Sequence, residues 1–324
     1  MRVLLIGLGR WGEKHLRVLT ELGAELWVAD VAEERRAFAI KAGVPRERAV
    51  ADYRDALPNV EAVDLVTPAE SHLAVAGDCL RAGRHCFVEK PLTLTVAEGR
   101  ELAVLVSSTG CVLQVGHIFR FHPVTVALQE RLASGGVGPV RYCTGRFAGF
   151  KRPRTDVGVT QTDAIHYFDL FAHLLGTEAT AVTATLRDHL GRGMDDLSFC
   201  TVEYGAVPVV IEAGYFVPGS FRECVVVGER ATLTADFGSA EVAVHDNHHV
   251  HGAGGWQARE GKVETFKATG PEPLRRELEL FLAAARDGGA PPVDVTAGLA
   301  ALRVVEAAHR SSALGRRVTL AELG

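Results

Sequence analysis

The segment Gly7-Leu8-Gly9-Arg10-Trp11-Gly12 sits between a short apolar run, Val3 to Ile6, and leucines at helical spacing, Leu16, Leu19 and Leu22. That order, strand then glycine turn then helix, is suited to binding a dinucleotide. The first glycine allows a tight turn, the second lets a pyrophosphate approach the backbone, and the third lets helix and strand pack closely. The phosphates then meet the unpaired N–H groups at the helix start. Gly7, Gly9, Arg10, Trp11 and Gly12 are therefore the expected phosphate-binding residues. Asp30 ends the next strand candidate roughly 20 residues on, where a carboxylate accepts hydrogen bonds from both ribose hydroxyls of NAD and repels a 2′-phosphate. NAD is the expected cofactor; Arg35 and Arg36, a turn or more further on, keep NADP as the weaker alternative.

These residues need a scaffold, and the first third of the chain supplies one by alternating apolar runs with helix-period segments. Strands are expected at Val3 to Ile6, Glu25 to Ala29, Ala62 to Val66, His85 to Val88 and Val112 to Val115. Helices are expected at Glu33 to Ala42, His72 to Ala82 and Val96 to Ser107. This is an α/β reading: an N-terminal Rossmann domain with a parallel sheet, over residues 1–118. Beyond Phe119 a helix at Val124 to Ala133 leads into strand-like segments at Val140 to Phe147, Ala181 to Leu186, Leu197 to Tyr204, Val207 to Tyr215, Cys224 to Val227 and Ala231 to Ala235. Helices at Ala164 to Leu175, Leu274 to Arg286 and Ala297 to Ser312 complete a C-terminal α+β domain with a large, mainly antiparallel sheet, over residues 119–324.

Composition narrows the function. With 47% hydrophobic and 23% charged residues, the 324-residue chain is an ordinary globular protein long enough for two cores. A net charge of -5 gives no general attraction to nucleic acid or anionic lipid. No apolar run approaches the ~18 residues of a membrane span, and the start is too short for a secretory leader. The six cysteines show no ligand spacing and read as reduced core residues, so a cytoplasmic location is expected.

Further along lie Thr67-Pro68 with His72, then Glu89-Lys90-Pro91 at a strand's carboxyl end, the segment Gly116 to Pro123, and Thr162-Asp163-Ala164-Ile165-His166-Tyr167-Phe168-Asp169. In order and spacing these motifs resemble the glucose-fructose oxidoreductase, inositol dehydrogenase and rhizopine-catabolism (Gfo/Idh/MocA) family over nearly the whole chain. The resemblance implies an NAD(P)-dependent dehydrogenase acting on CH–OH groups. Thr67, Pro68, His72, Glu89 and Lys90 would contact the cofactor, and Lys90 and His166 would be catalytic. Oxidising a secondary alcohol needs a base for the hydroxyl proton and a positive group near the oxygen, while nicotinamide takes the hydride. Imidazole, with an ordinary pKa of about 6.5, suits the first task and Lys90 the second; Pro91 restricts the backbone that aims Lys90.

One position departs from the family. The aspartate usual four residues before the histidine is replaced by Thr162, and Asp163 follows. On an α-helix of about 100° per residue Thr162 would lie roughly 40° from His166 and Asp163 roughly 60°, so either could orient it. Asp169 matches a second acidic position implied to bind or orient substrate. Lys151-Arg152-Pro153-Arg154 resembles the sugar-nucleotide 3-dehydrogenases of the family; through their paired N–H groups Arg152 and Arg154, joined by Arg120, would bind a diphosphate or a carboxylate. The expected substrate is a sugar or sugar nucleotide, the sugar-nucleotide case being oxidation at C3 of a UDP-hexose. The alternatives are an NAD-recycling hydrolase or epimerase and a non-catalytic dinucleotide sensor. His245, His248, His249 and His251, beside a glycine-rich stretch expected to be a mobile loop, are read as no metal site. The family also implies a homodimer or homotetramer built through the second domain's sheet.

Overall fold

The computed structural model describes residues 1–324. The first elements alternate: β1 (Arg2–Ile6), α1 (Gly12–Glu21), β2 (Glu25–Ala29), α2 (Glu33–Lys41), β3 (Ala49–Val50), β4 (Ala62–Leu65), α3 (His72–Arg81), β5 (His85–Glu89), α4 (Val96–Thr109) and β6 (Leu113–Gly116). There follow α5 (Pro123–Ala133), β7 (Val140–Gly149), α6 (Ile165–Leu175), β8 (Ala179–Arg187), β9 (Leu197–Tyr204), β10 (Val207–Gly214), β11 (Ser220–Gly228), β12 (Thr232–Asp236), β13 (Glu241–Gly252) and β14 (Gly255–Lys267). The chain ends with α7 (Pro273–Asp287), α8 (Val295–Leu314) and β15 (Val318–Thr319).

Two compact units emerge. The first comprises Met1–Ile118 and Glu272–Leu302, the second Phe119–Pro271 and Arg303–Gly324. The stretch Glu272–Leu302, which sequence reading assigned to the C-terminal domain, thus packs with the first unit. The reason is visible in α7, whose Leu274, Leu278 and Phe281 are buried in one cluster with Leu16 and Leu19 of α1 and Phe87 of β5.

In the first unit six strands form a parallel sheet in the order β3-β2-β1-β4-β5-β6. β4 is buried throughout and β1 apart from its first residue, as expected when helices cover both faces of a parallel sheet. The order reverses between β1 and β4, and at such a switch point the carboxyl ends of the strands open onto a ligand crevice. Gly7 leaves β1 there and Thr67 follows β4. Helix ends obey local chemistry: α4 starts with a capping box between Thr95 and Glu98 and stops at Gly110, whose φ of 65° suits glycine.

In the second unit nine strands pair in the order β14-β13-β12-β11-β7-β10-β9-β8-β15. All neighbours are antiparallel except β7 and β10. Along β9 and β10 buried and solvent-accessible residues largely alternate, so one sheet face carries the core and the other is open. The expectation of a mobile loop around the histidine cluster is corrected here. His245, His248, His249 and His251 all lie on β13, which pairs with β14 through a turn that brings Gly252 opposite Gly255. The glycines serve a tight reversal, and the two strands are held by their backbone ladder. No helix is long and apolar enough to cross a membrane.

Candidate active site

The glycine turn is built by close contacts. Gly7 has φ 94°, and a Cβ there would lie 2.7 Å from the Val66 carbonyl oxygen; one on Gly12 would lie 2.1 Å from the Gly7 carbonyl oxygen. A Cβ on Gly9 would meet nothing within 4 Å, so this glycine leaves open space at the start of α1. Arg10 is exposed and Trp11 half-buried. Asp30 steadies the turn from β2: one carboxylate oxygen accepts the Leu8 N–H at 2.7 Å and the other the Ala32 N–H at 2.9 Å. Each oxygen keeps a lone pair for a ribose hydroxyl. The two arginines that could favour a 2′-phosphate are engaged elsewhere. Arg35 pairs with Glu13 at 2.7 Å, and Arg36 donates to the carbonyls of Asp30 and Val31 at 2.7 and 2.9 Å. The residues present therefore fit NAD.

His72, expected to touch the cofactor, is buried instead. Its ring nitrogens lie 2.9 Å from the Pro91 carbonyl oxygen and 3.0 Å from that of Thr67, so it ties the loop after β4 to the loop after β5. Burial lowers its pKa. Thr67 is half-buried, its hydroxyl 2.6 Å from that of Ser71, and Pro68 is exposed. Lys90 is half-buried and joined to Pro91 by a cis peptide bond. Glu89 is buried: its carboxylate accepts the Trp11 indole N–H at 2.7 Å and the Lys90 backbone N–H at 3.1 Å.

In the second unit, Thr160–Ala164 form a π-helical turn that runs into α6. This corrects the α-helical angles used to relate Thr162 and Asp163 to His166, because a turn with i to i+5 bonds rotates the chain less per residue. Thr162 directs its hydroxyl at the Gly158 carbonyl oxygen, 3.1 Å away, with the Tyr215 hydroxyl at 3.2 Å. Asp163 pairs with Lys151 at 2.7 Å, and that ammonium lies over the rings of Phe147 and Tyr215. Burial, and then the Asp163 charge, push the Tyr215 hydroxyl up to about 12. His166 is buried and stacked, its ring centroid 4.8 Å from that of Phe119 and 5.6 Å from that of Phe147. Phe119 is thus an aromatic platform for the imidazole. Sequence reading missed Lys151 and Tyr215 as neighbours because only the fold brings the segments after β7 and β10 to this turn.

The expected substrate-binding residues fall into pairs. Arg120 donates two bonds to Asp169, one of 2.8 Å, and Asp169 is almost fully buried. Arg154 pairs with Asp156, while Arg152 is exposed. Asp195 holds the start of the π turn, accepting both the N–H and the hydroxyl of Thr160 at 2.7 and 2.6 Å. An open cavity of about 500 Å³, lined by Gly158, Gln161, Asp195 and His309 among others, flanks the same turn.

Residues 1–117 match the model of the Gfo/Idh/MocA oxidoreductase family's NAD-binding Rossmann fold, and residues 129–320 match that of the family's C-terminal alpha/beta domain. The chain belongs to this family. It is an oxidoreductase whose first unit is an NAD-binding Rossmann domain. Among its relatives, inositol 2-dehydrogenase of Rhizobium meliloti is 28% identical over 99% of both chains. UDP-N-acetylglucosamine 3-dehydrogenase of Acidithiobacillus ferrooxidans is 36% identical over 57% of both. The solved structure of the latter enzyme covers 96% of this chain with TM-score 0.81 and 26% identity, this chain covering 97% of it. A probable dehydrogenase from Thermotoga maritima has TM-score 0.83 and 26% identity over 99% of both chains.

Proposed function

We propose that this protein oxidises a secondary ring hydroxyl of a sugar or sugar nucleotide, with NAD accepting the hydride. Gly7, Gly9, Gly12 and Asp30 hold the dinucleotide, and the open space at Gly9 is the observation that carries the reading. His166 takes the hydroxyl proton: its ring is held by stacking against Phe119 and against Phe147, so it meets a substrate with little rotamer freedom left to lose. Lys90, on a strand end braced by Glu89 and His72, stabilises the oxygen as negative charge develops. Asp163 and Thr162 act around His166 through Lys151 and Tyr215. Asp169 acts through its fork with Arg120 and shapes the site rather than meeting substrate alone.

The finer choice is between C3 of a nucleotide-linked hexose and a ring hydroxyl of a free polyol. The likeness to the UDP-N-acetylglucosamine enzyme supports the first. One observation favours the second: Arg120 and Arg154 already spend their guanidinium forks on Asp169 and Asp156, leaving Arg152 as the exposed cation for a diphosphate. Supplying the protein with NAD and, in turn, inositols, free hexoses and UDP-hexoses, and following reduced cofactor by absorbance, tests both. Turnover of at least one is expected; silence with all of them contradicts a net dehydrogenase and favours the recycling or sensing alternatives. We further propose a homodimer or homotetramer formed through the open face of the nine-stranded sheet, where Tyr142, Phe199 and Val210 are exposed.

A further inference from the structure

The glycine turn and the Lys90 strand end share a buried charge cluster that the proposed chemistry does not use. His15, on α1, is wholly buried. Its Nδ1 lies 2.8 Å from an Asp64 carboxylate oxygen on β4, and its Nε2 lies 3.3 Å from Glu89 Oε1 at the end of β5. That same Glu89 oxygen accepts the Trp11 indole N–H at 2.7 Å, and the second oxygen accepts the Lys90 amide at 3.1 Å. The rings of Trp11 and Phe87 stand edge-on to the imidazole, with centroids 5.7 and 5.8 Å away. β6 leaves room for the carboxylate, since a Cβ on Gly116 would lie 2.9 Å from it.

Two carboxylates buried on either side of one ring repel unless a cation lies between them or one takes up a proton; burial raises the Asp64 pKa, and the His15 ring beside it pulls it back down. A neutral imidazole has one N–H and would turn a lone pair toward one of the two acids, whereas an imidazolium donates toward both. Asp64 and Glu89, with the Lys90 ammonium acting on Glu89 from beyond, are the charged groups that face this ring. The two acids outweigh burial and raise the His15 pKa to about 9. We propose that His15 is a positioning residue: as an imidazolium between Asp64 and Glu89 it fixes the Glu89 carboxylate, which ties the dinucleotide turn, through Trp11, to the peptide that carries Lys90. The link to catalysis rests on the proposed role of Lys90; the link to the dinucleotide turn does not.

The test begins with wild-type protein labelled with 15N in its histidines, whose ring resonances report protonation, the His15 signal being assigned by its loss in His15→Gln. Both ring nitrogens protonated at pH 7, with titration near 9, is the expected result; a neutral ring at pH 7 overturns the proposal. Next, His15→Gln should lose about tenfold or more in kcat at saturating cofactor and substrate, counted per folded molecule, as for loss of a hydrogen bond to a charged group. A normal kcat with only a lower Tm would make His15 purely structural and overturn the proposal. If wild type oxidises no polyol, the proposed function fails. The NAD affinity of His15→Gln, expected to be about tenfold weaker, then decides on His15. Should His15→Gln not fold, Glu89→Gln takes its place for assignment. The His15 signal is then the ring resonance whose titration falls toward the ordinary histidine range in that variant. If no ring titration moves in it, the proposal fails.

Discussion

A Cβ on Gly12 would lie 2.1 Å from the Gly7 carbonyl oxygen, whereas one on Gly9 would meet nothing. The two glycines therefore fail differently when replaced. Gly12→Ala should lower the melting temperature, because the turn cannot close on α1. Gly9→Ala should melt like wild type yet bind NAD at least about tenfold more weakly, the new methyl occupying the space into which the pyrophosphate comes. Melting curves and calorimetric titration with NAD check both; equal loss of stability in the two variants would show that Gly9 serves the fold rather than a ligand. At this scale the sequence was readable where spacing is local. Gly7, Gly9, Gly12 and Asp30 stand within one βαβ unit, and the turn they build follows from order alone. His15 was not readable, since its partners come from β4 and β5. Its one trace was Asp64, a lone acid inside the apolar run Ala62-Val63-Asp64-Leu65, which must find a buried partner.

Among the elements, the π-helical turn Thr160–Ala164 depends on a distant carboxylate. Asp195 accepts both the N–H and the hydroxyl of Thr160, and Gly158 leaves it space, since a Cβ there would lie 2.0 Å from an Asp195 oxygen. Asp195→Ala should destabilise the protein by about 1–3 kcal/mol, the cost of stranding buried donors, as read from urea unfolding. A change within about 0.5 kcal/mol, the range of ordinary surface substitutions, would mean that the turn is held by other contacts. Sequence periodicity located α6 but could not foresee that its entry departs from α geometry, because the cause lies 35 residues downstream at Asp195. The β13–β14 hairpin was missed for a different reason. From Asp246 to Glu264 its residues are mostly polar or glycine, so the alternation that marks a half-buried strand is absent there, and the backbone ladder defines it.

For the molecule as a whole, the alternation along β9 and β10 leaves one face of the nine-stranded sheet with exposed Phe199 and Val210. Phe199→Glu together with Val210→Glu should reduce the mass measured by light scattering to that of a single chain while leaving circular dichroism unchanged. An unaltered mass would place the interface elsewhere. This open face could be inferred from the sequence, for the strands read as half-buried, but that Glu272–Leu302 belongs to the first unit could not. The central proposal is that Lys90 and His166 act on the same hydroxyl, and a double-mutant cycle on hydride transfer to NAD tests it most directly. Lys90→Ala and His166→Ala should each slow NADH formation about 10²–10⁴-fold, and the double variant should be scarcely slower than the worse single one, as for groups that act as a unit. Losses that multiply in full, or a variant that keeps the wild-type rate, would contradict the account.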